Sequence, residues 1–262
     1  MRWLTERRRA HLAAQPFPPE WTAILERNVA AYALLDATER KQLRELVQVF
    51  VAEKHWEGCG GLGLTDEIRV TIAGTGCQLL LGGDHDLFAD VHSILVYPST
   101  IRLPNEPPRL TSSPIVGTRG GDLVLGLTKR HDELVLAWDS ALGGARDAHD
   151  GHNVVIHELA HKIDYLNGAA DGTPELADRA ARQAWASAFE PAFLAHRERA
   201  TRGEPSLLDD YAITNEAEYF AVATEVFFEK PHQLARALPD VYAQLSAFYR
   251  LDLAARPNPA AA

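Results

Sequence analysis

The sequence has only two cysteines, Cys59 and Cys77, and neither lies in a paired motif such as C-x-x-C. This scarcity argues against a disulfide framework and against a cysteine-based metal site, so we expect both thiols to be reduced and structural. The chain also lacks any apolar run of about eighteen residues, which excludes a membrane-spanning helix. Its basic start lacks the apolar segment of a secretion signal, and we therefore expect a cytoplasmic protein.

The chain has fewer basic than acidic residues, with 26 Lys and Arg against 36 Asp and Glu, and its net charge is −10 at pH 7. This balance argues against direct binding to nucleic acid or to an anionic membrane surface. The 262 residues, of which 46% are hydrophobic and 24% charged, are typical of a globular protein. We expect a single unit over residues 1–262, divided at most into a helical N-terminal subdomain (1–85) and a core (86–252), with a flexible tail at 253–262.

The spacing of apolar residues predicts a chain that is mostly helical. Helices are predicted at 39–56, 65–81, 150–166, 174–200, 215–229 and 231–252, and Thr65 is the predicted cap of the second. Short apolar runs bounded by Pro, Gly and Asp predict strands at 92–100, 122–127 and 133–138. Helices at both ends of the chain around a small sheet indicate an α+β fold dominated by helix.

The segment HELAH (157–161) carries two histidines four residues apart, with Glu158 directly after the first. On an α-helix, residues i and i+4 lie on one face, so His157 and His161 can point toward a single cation. Zinc accepts neutral imidazole and keeps a position open for water when it has three protein ligands. Glu158 lies about a hundred degrees around the helix and can accept a proton from that water. This pattern is the H-E-x-x-H motif of zinc peptidases.

The same five residues also fit an amphipathic helix without a metal, since short H-E-x-x-H matches occur by chance. The neighbouring residues favour the metal site. A buried helix is predicted by the apolar residues around the motif, and its end by Asn167–Gly168. Two histidines and a glutamate inside a buried helix are costly without partners, and metal ligation removes much of that cost.

A catalytic zinc site needs a third protein ligand, and the downstream acids are Asp164, Glu175, Asp178, Glu216, Glu218 and Glu225. Asp164 follows His161 by three residues, which suits a carboxylate that accepts a histidine N–H, although an ordinary salt bridge fits equally well. Asn215 can cap a helix whose first turns carry both Glu216 and Glu218. Spacing alone does not choose between these two glutamates.

A resemblance to a known family rests on two segments, WDSALGGARDAHDGHNVVIHELAHKIDYLNG (138–168) and YAITNEAEYFAVATEVFFEKP (211–231). Together they resemble the Mlc titration factor A family, zinc peptidases of the gluzincin type. The second segment is also similar to the active-site region of lethal-factor-type toxin peptidases. GCGGLGLTDEIRVTIAGTGCQLLLG (58–82) and the segment 93–101 extend the resemblance over most of the chain, with the extreme N-terminus and the alanine-rich tail least covered.

The resemblance implies a zincin-like catalytic core with one zinc ion per chain, held by His157, His161 and Glu218. It assigns Glu158 as the catalytic glutamate. Tyr211 lies seven residues before Glu218 and matches a tyrosine that such enzymes place near the metal. Its phenol can donate a hydrogen bond to the oxyanion that forms on the attacked carbonyl. The alternative for Tyr211 is a packed loop tyrosine.

From these features we expect a cytoplasmic zinc metallopeptidase that acts on a peptide or protein, aminopeptidase-like on short substrates. The segment ELVLAW (133–138) is a candidate edge strand for binding an extended peptide by main-chain hydrogen bonds. The alternative is a non-catalytic module that sequesters a DNA-binding repressor similar to Mlc, and the resemblance allows both functions in one chain. A zinc hydrolase acting on a non-peptide substrate would use the same ligands.

Overall fold

The computed structural model describes residues 2–83, 86, 88–99 and 132–257. Over these residues the fold is α+β and dominated by helix, as the sequence predicts. The predicted strand at 122–127 lies outside the described residues. Within the described part, no helix is both long enough and apolar enough to cross a membrane.

The chain forms two compact units. The first comprises Met1–Asp147 with Asn153–Val155, and the second comprises Ala148–His152 with Ile156–Ala262. The subdomain boundary near residue 85 stays a prediction.

Two helices of the first unit begin at a side chain that caps them. The Asp36 side chain accepts the N–H of Glu39, whose own side chain accepts the N–H of Asp36, so the longest of these helices starts with a capping box. Thr65 accepts the N–H of Ile68 and is the predicted cap of the helix that follows it. The described helices of this unit are α1 (Arg2–Ala13), α2 (Pro19–Asn28), α3 (Ala37–Glu53), α4 (Asp66–Gly76) and α5 (Trp138–Arg146).

Three parallel strands complete the first unit, in the order β1 (His55–Gly58), β2 (Ser93–Tyr97) and β3 (Glu133–Ala137). Ile94 pairs with Trp56 on one side and with Leu134 on the other. Several predicted bounds are wrong here. The strand predicted at 92–100 is β2, Ser93–Tyr97, and the helix predicted at 65–81 is α4, Asp66–Gly76, followed by the 3₁₀ turn Cys77–Leu80. The helix predicted at 39–56 ends at Glu53, because His55–Gly58 takes an extended conformation and pairs with β2. The strand predicted at 133–138 ends one residue early, since Trp138 begins α5.

The predicted helix at 150–166 corresponds to α6 (Val154–Asp164), followed by a 3₁₀ turn. The remaining helices of the second unit are α7 (Arg179–Thr201), α8 (Glu216–Glu229), α9 (Pro231–Ala237) and α10 (Pro239–Tyr249). The single helix predicted at 231–252 is wrong, because it breaks at Leu238. Pro239 has no N–H to donate and disfavours helical backbone in the residue before it, so Leu238 is non-helical (φ −136°, ψ 64°).

Aromatic side chains form the core of the second unit and hold α7, α8 and α10 together. The Trp185 ring stacks on Phe189 with centroids 4.1 Å apart and meets Phe220 edge to face. Further along α8, Phe227 packs on Tyr249 of α10 with centroids 5.7 Å apart. These contacts fix α8 on its apolar side, which leaves its polar residues at defined positions along the helix.

The predicted tail begins with ordered backbone. Leu253–Ala255 forms one 3₁₀ turn, and the Leu253 side chain is buried. Residues 258–262 lie outside the described part.

Both cysteines are free thiols, as the sequence predicts. Cys77 is completely buried, and burial raises the pKa of its thiol. Such a thiol is unreactive at neutral pH, which agrees with a structural role.

Candidate metal centre

The HELAH segment lies on α6, as predicted, and the helix is largely buried. Ile156, Leu159 and Ile163 are at most 1% exposed, so the apolar residues around the motif pack into the protein. The helix continues into the 3₁₀ turn Tyr165–Asn167 and ends at Gly168, whose φ of 89° favours glycine. The predicted helix stop is therefore confirmed.

The two histidines of the motif face each other on one side of α6. Their Nε2 atoms are 3.2 Å apart, and the ring centroids are separated by 4.8 Å. His157 is 7% exposed, while His161 is only half-buried. The i, i+4 spacing thus brings two imidazole nitrogens to one point, which an amphipathic helix without a ligand does not require.

The carboxylate of Glu218 approaches both histidines from α8. Its Oε2 lies 3.1 Å from the Nε2 atoms of His157 and His161, and the residue is 1% exposed. Asn215 caps α8 by accepting the N–H of Glu218 at 2.9 Å, which sets the position of this first turn. Glu216 is exposed instead. Spacing left the choice between Glu216 and Glu218 open, and these contacts favour Glu218 as the third ligand.

These three residues form a group that can hold a metal ion. One ligand atom from each of His157, His161 and Glu218 lies within 4.8 Å of the other two. Among the described residues, no other group of three His, Cys, Asp or Glu side chains has this geometry.

The electrostatics of His157 support a cation at this point. Its Nδ1 lies 2.7 Å from Oε1 of Glu225, so a neutral ring carries its proton there and turns the lone pair of Nε2 toward Glu218. A lone pair and a carboxylate oxygen repel each other unless a proton or a cation lies between them. Burial alone lowers the pKa of His157, but the carboxylates of Glu225 and Glu218 outweigh it and raise that pKa well above the ordinary value.

Glu218 shows the matching effect. Burial opposes ionisation of its carboxyl group, yet hydrogen bonds from His157 and His161 hold its pKa below the ordinary value. Its second oxygen, Oε1, is buried without a hydrogen-bond partner among the described residues. A buried carboxylate with an unused oxygen, beside two imidazole nitrogens, is the donor set that a divalent metal ion would satisfy. The residues present therefore fit a metal.

Glu158 lies next to His157 on α6 and is 5% exposed. Its Oε1 is also buried and has no hydrogen-bond partner among the described residues. Glu158 does not belong to the three-residue ligand group. A buried carboxylate beside the ligands that is not itself committed to a partner at Oε1 is suited to accept a proton.

Tyr211 lies in the 3₁₀ segment Asp210–Ile213, just before α8. The side chain of Asp209 caps this segment by accepting the Tyr211 N–H at 2.8 Å. The Tyr211 ring is tilted by 42° to the His157 ring, with centroids 6.0 Å apart. The tyrosine is thus beside the ligand group rather than in a remote loop.

Asp164 does not take the role suggested by its spacing from His161. Its Oδ2 accepts the backbone N–H of Gly172 at 2.9 Å, and its Oδ1 has no partner among the described residues. Burial raises the pKa of this carboxyl group to about 6. The carboxylate that meets the far nitrogen of a histidine, Nδ1 of His157, is Glu225, which the sequence offered only as one of several possible ligands. Its distance of seven residues from Glu218, two helical turns, is the signal that could have identified it.

Comparison with known proteins agrees with this geometry. The model of the glucose-regulated metallo-peptidase M90 family matches residues 3–250. The chain belongs to this family. A metallopeptidase family implies a divalent metal, and the group of His157, His161 and Glu218 is where the described residues can hold one.

Individual relatives extend the comparison. An uncharacterized protein of Synechocystis sp. is 34% identical over 252 residues, which covers 95% of this chain and 90% of the relative. Mlc titration factor A of Serratia proteamaculans is 29% identical over 263 residues, with 97% and 93% covered. Mlc titration factor A of Edwardsiella ictaluri is 38% identical over 138 residues, about half of each chain at 51%. The predicted family resemblance is confirmed.

Proposed function

We propose that this protein is a zinc-dependent metallopeptidase whose ligands are His157, His161 and Glu218. The observation that carries the proposal is the approach of Glu218 Oε2 to within 3.1 Å of both imidazole Nε2 atoms. Two imidazoles and one carboxylate are the protein ligands of gluzincin-type sites, and they leave a position open. When bound, zinc polarises a carbonyl group and lowers the pKa of water. One ion per chain is expected.

Glu158 is proposed as the general base and acid. Its buried Oε1 would accept a proton from the attacking water and pass it to the nitrogen of the leaving amine. Tyr211 would donate its phenolic proton in a hydrogen bond to the oxygen of the attacked carbonyl, where negative charge develops. Its ring position, 6.0 Å from the His157 ring, supports this role.

The substrate is a peptide or protein, and we expect aminopeptidase-like action on short peptides. The edge-strand hypothesis for ELVLAW (133–138) stays a prediction. In the described part, β3 lies at one end of the three-stranded sheet, a position from which a strand can pair with an extended peptide. A peptide complex in which another segment binds the substrate would contradict it.

A second function is favoured by the names of the relatives. Two of them are named Mlc titration factor A, and we propose capture of a DNA-binding repressor similar to Mlc as the companion or alternative activity. Such a partner implies action in the cytoplasm. The acidic balance of the chain agrees with binding a protein rather than nucleic acid directly.

The substitution Glu158→Gln separates the two functions. It keeps the size of the side chain and removes its ability to accept a proton, so peptide hydrolysis should fall by a factor of about 10² or more. Zinc content and repressor binding should stay at the parent level, because neither ligand set nor surface is changed. Glu216→Gln, on an exposed side chain, is the control and should retain hydrolysis. Unchanged hydrolysis in Glu158→Gln would refute the catalytic assignment.

A further inference from the structure

Both ring nitrogens of His157 face carboxylates that come from one helix. Its Nε2 lies 3.1 Å from Glu218 Oε2, and its Nδ1 lies 2.7 Å from Glu225 Oε1. The imidazole is therefore held between two acids on α8. His157 is 7% exposed and Glu225 is 6% exposed, so water screens this contact little.

The register of α8 explains how one helix supplies both acids. Seven residues correspond to nearly two full turns, so Glu218 and Glu225 lie on almost the same face, about 10 Å apart along the axis. The aromatic contacts of Phe220 and Phe227 fix the opposite side of α8. The spacing between the two carboxylates is thus set by the helix and not by a flexible loop.

We propose that Glu225 is a positioning residue that fixes the ring orientation and the Nδ1–H tautomer of His157, so that Nε2 presents its lone pair to the metal. This inference rests on the metal site of the proposed function. A carboxylate that accepts the far N–H of a ligating histidine also makes the metal-bound nitrogen more basic. Glu225 acts through His157, and it does not belong to the ligand group itself.

The burial of Glu225 is better explained by this role than by fold stability alone. A buried carboxylate costs free energy unless it is paired, and an apolar residue at the same position of a packed helix is commonly as stable or more stable. The short contact with Nδ1 orients the His157 ring, and this orientation is what the metal site gains from a buried Glu225. The geometry would serve little purpose if His157 were an ordinary core residue.

The test is zinc affinity, measured by competition with a chromophoric chelator. Loss of the outer carboxylate in Glu225→Ala should weaken zinc binding about 100-fold, and Glu225→Gln, which keeps an acceptor for Nδ1–H but loses the charge, about 10-fold. In the zinc-loaded proteins, side-chain ¹⁵N NMR should show a hydrogen-bonded, slowly exchanging Nδ1–H of His157 in the parent, and an Nδ1–H that exchanges faster with solvent in Glu225→Ala. Urea unfolding of the metal-free variants checks that they fold.

A matched control lies one turn further along α8. Glu229 is 5% exposed, and its carboxylate accepts the backbone N–H of Gly151 at 2.8 Å. Glu229→Gln removes a buried charge from the same helix at a residue outside the ligand group, and it should leave zinc affinity and the exchange rate of the His157 Nδ1–H unchanged.

The outcomes separate this inference from the proposed function. Parent-like zinc affinity in Glu225→Gln and Glu225→Ala, while His157→Ala loses zinc, would overturn the role of Glu225 and leave the metal site standing. If Glu225→Ala does not fold, Glu225→Gln decides alone, and unchanged affinity overturns the role. An equal loss in Glu229→Gln would also overturn it, because any buried acid on α8 would then have the same effect. A parent protein that binds no zinc would refute both proposals.

Discussion

Helices α4 and α8 are both almost completely buried, but they bury different kinds of polar group. The polar side chains on the buried part of α4 are hydroxyl groups, Thr71 and Thr75. On α8 they include three carboxylates, Glu218, Glu225 and Glu229. Helix α4 belongs to the first unit and α8 to the second, so they lie in different cores.

The polar groups around α4 satisfy one another. Asn28 donates from Nδ2 to Thr71 Oγ1 at 3.1 Å, and its Oδ1 accepts from Arg146. Thr75 donates to the carbonyl oxygen of Thr71 at 2.9 Å. These hydrogen bonds stabilise a fold, and each pairs a donor with an acceptor.

One carboxylate of α8, that of Glu218, is not fully hydrogen-bonded in the described part. Glu218 directs one oxygen at two histidines and leaves the other without a hydrogen-bond partner in the described part. Ionised side chains are rarely buried unless they are paired or bind a metal. Burial alone therefore does not mark a functional helix, whereas buried charge that lacks full hydrogen bonding does.

A glycine that lets α8 pack closely should have the largest effect when it is substituted. Gly172 has φ of +75°, and a Cβ there would overlap the backbone carbonyl of Glu216 at the start of α8. We expect Gly172→Ala to lower the free energy of unfolding by about 3 kcal/mol, because it combines a left-handed backbone with a clash against backbone atoms. Metal affinity should also fall, since a shift of Glu216 displaces Glu218.

The corresponding change in the first unit is Gly74→Ala on α4. Its Cβ would overlap the end of the flexible Leu25 side chain, and alanine favours helix, so the loss should be about 1 kcal/mol. Gly168→Ala, with a positive φ but open space, controls for the backbone alone. Urea denaturation measures all three. Equal losses in Gly172→Ala and Gly168→Ala would show that the carbonyl of Glu216 is not a rigid contact.

A smaller effect is expected from Asp164, whose burial raises its pKa to about 6 from an ordinary value of 3.8. The folded protein therefore binds more protons than the unfolded chain between about pH 4 and 6, and stability falls as the pH rises through this range. Between pH 4.5 and 7 this titration lowers the free energy of unfolding by about 2 kcal/mol.

Asp164→Asn removes this titration, so the free energy of unfolding should fall less between pH 4.5 and 7 in the variant than in the parent. Denaturation of both in the presence of a chelator excludes pH effects from metal binding. Glu190→Gln, on an exposed side chain, should keep the slope of the parent. Parallel pH profiles for Asp164→Asn and the parent would contradict the raised pKa.

The smallest effect is predicted on α4. Thr71→Val removes the acceptor for Asn28, which keeps a second acceptor, Glu67 Oε1, at 2.9 Å. We expect a loss of about 1 kcal/mol in thermal or urea unfolding, and unchanged zinc content. Thr75→Val should cost less, because Thr75 only adds a bond to a carbonyl of its own helix. A loss of zinc in Thr71→Val would contradict the claim that the polar groups of α4 serve only the stability of the fold.

Local patterns were sufficient to predict the parts of the site that lie on one helix. His157 and His161 follow from the i, i+4 rule, and Thr65 and Asn215 act as the predicted helix caps. The third ligand depends on a contact between α6 and α8, and the spacing of the acids in the sequence could not identify it. Glu218 came from the family resemblance, and the structure brings it to the histidines.

Features that depend on tertiary partners were missed. The strand His55–Gly58 continues a helical pattern in the sequence and becomes extended because β2 pairs with it. Asp164 satisfies the backbone of Gly172 rather than a histidine, since the loop after α6 returns to it. Glu225 could have been selected over the other acids by its seven-residue spacing from Glu218, but only once Glu218 was known to face the metal site.

Zinc content, measured after dialysis in the purified protein and in Glu218→Ala, is the most direct test of the metal ligands. The parent should retain about one zinc per chain, and Glu218→Ala should lose most of it, because two imidazoles alone hold zinc weakly. Glu216→Ala, two residues away on an exposed side chain, should match the parent. Zinc retained at the parent level in Glu218→Ala would contradict the assignment of α8 as the source of the third ligand.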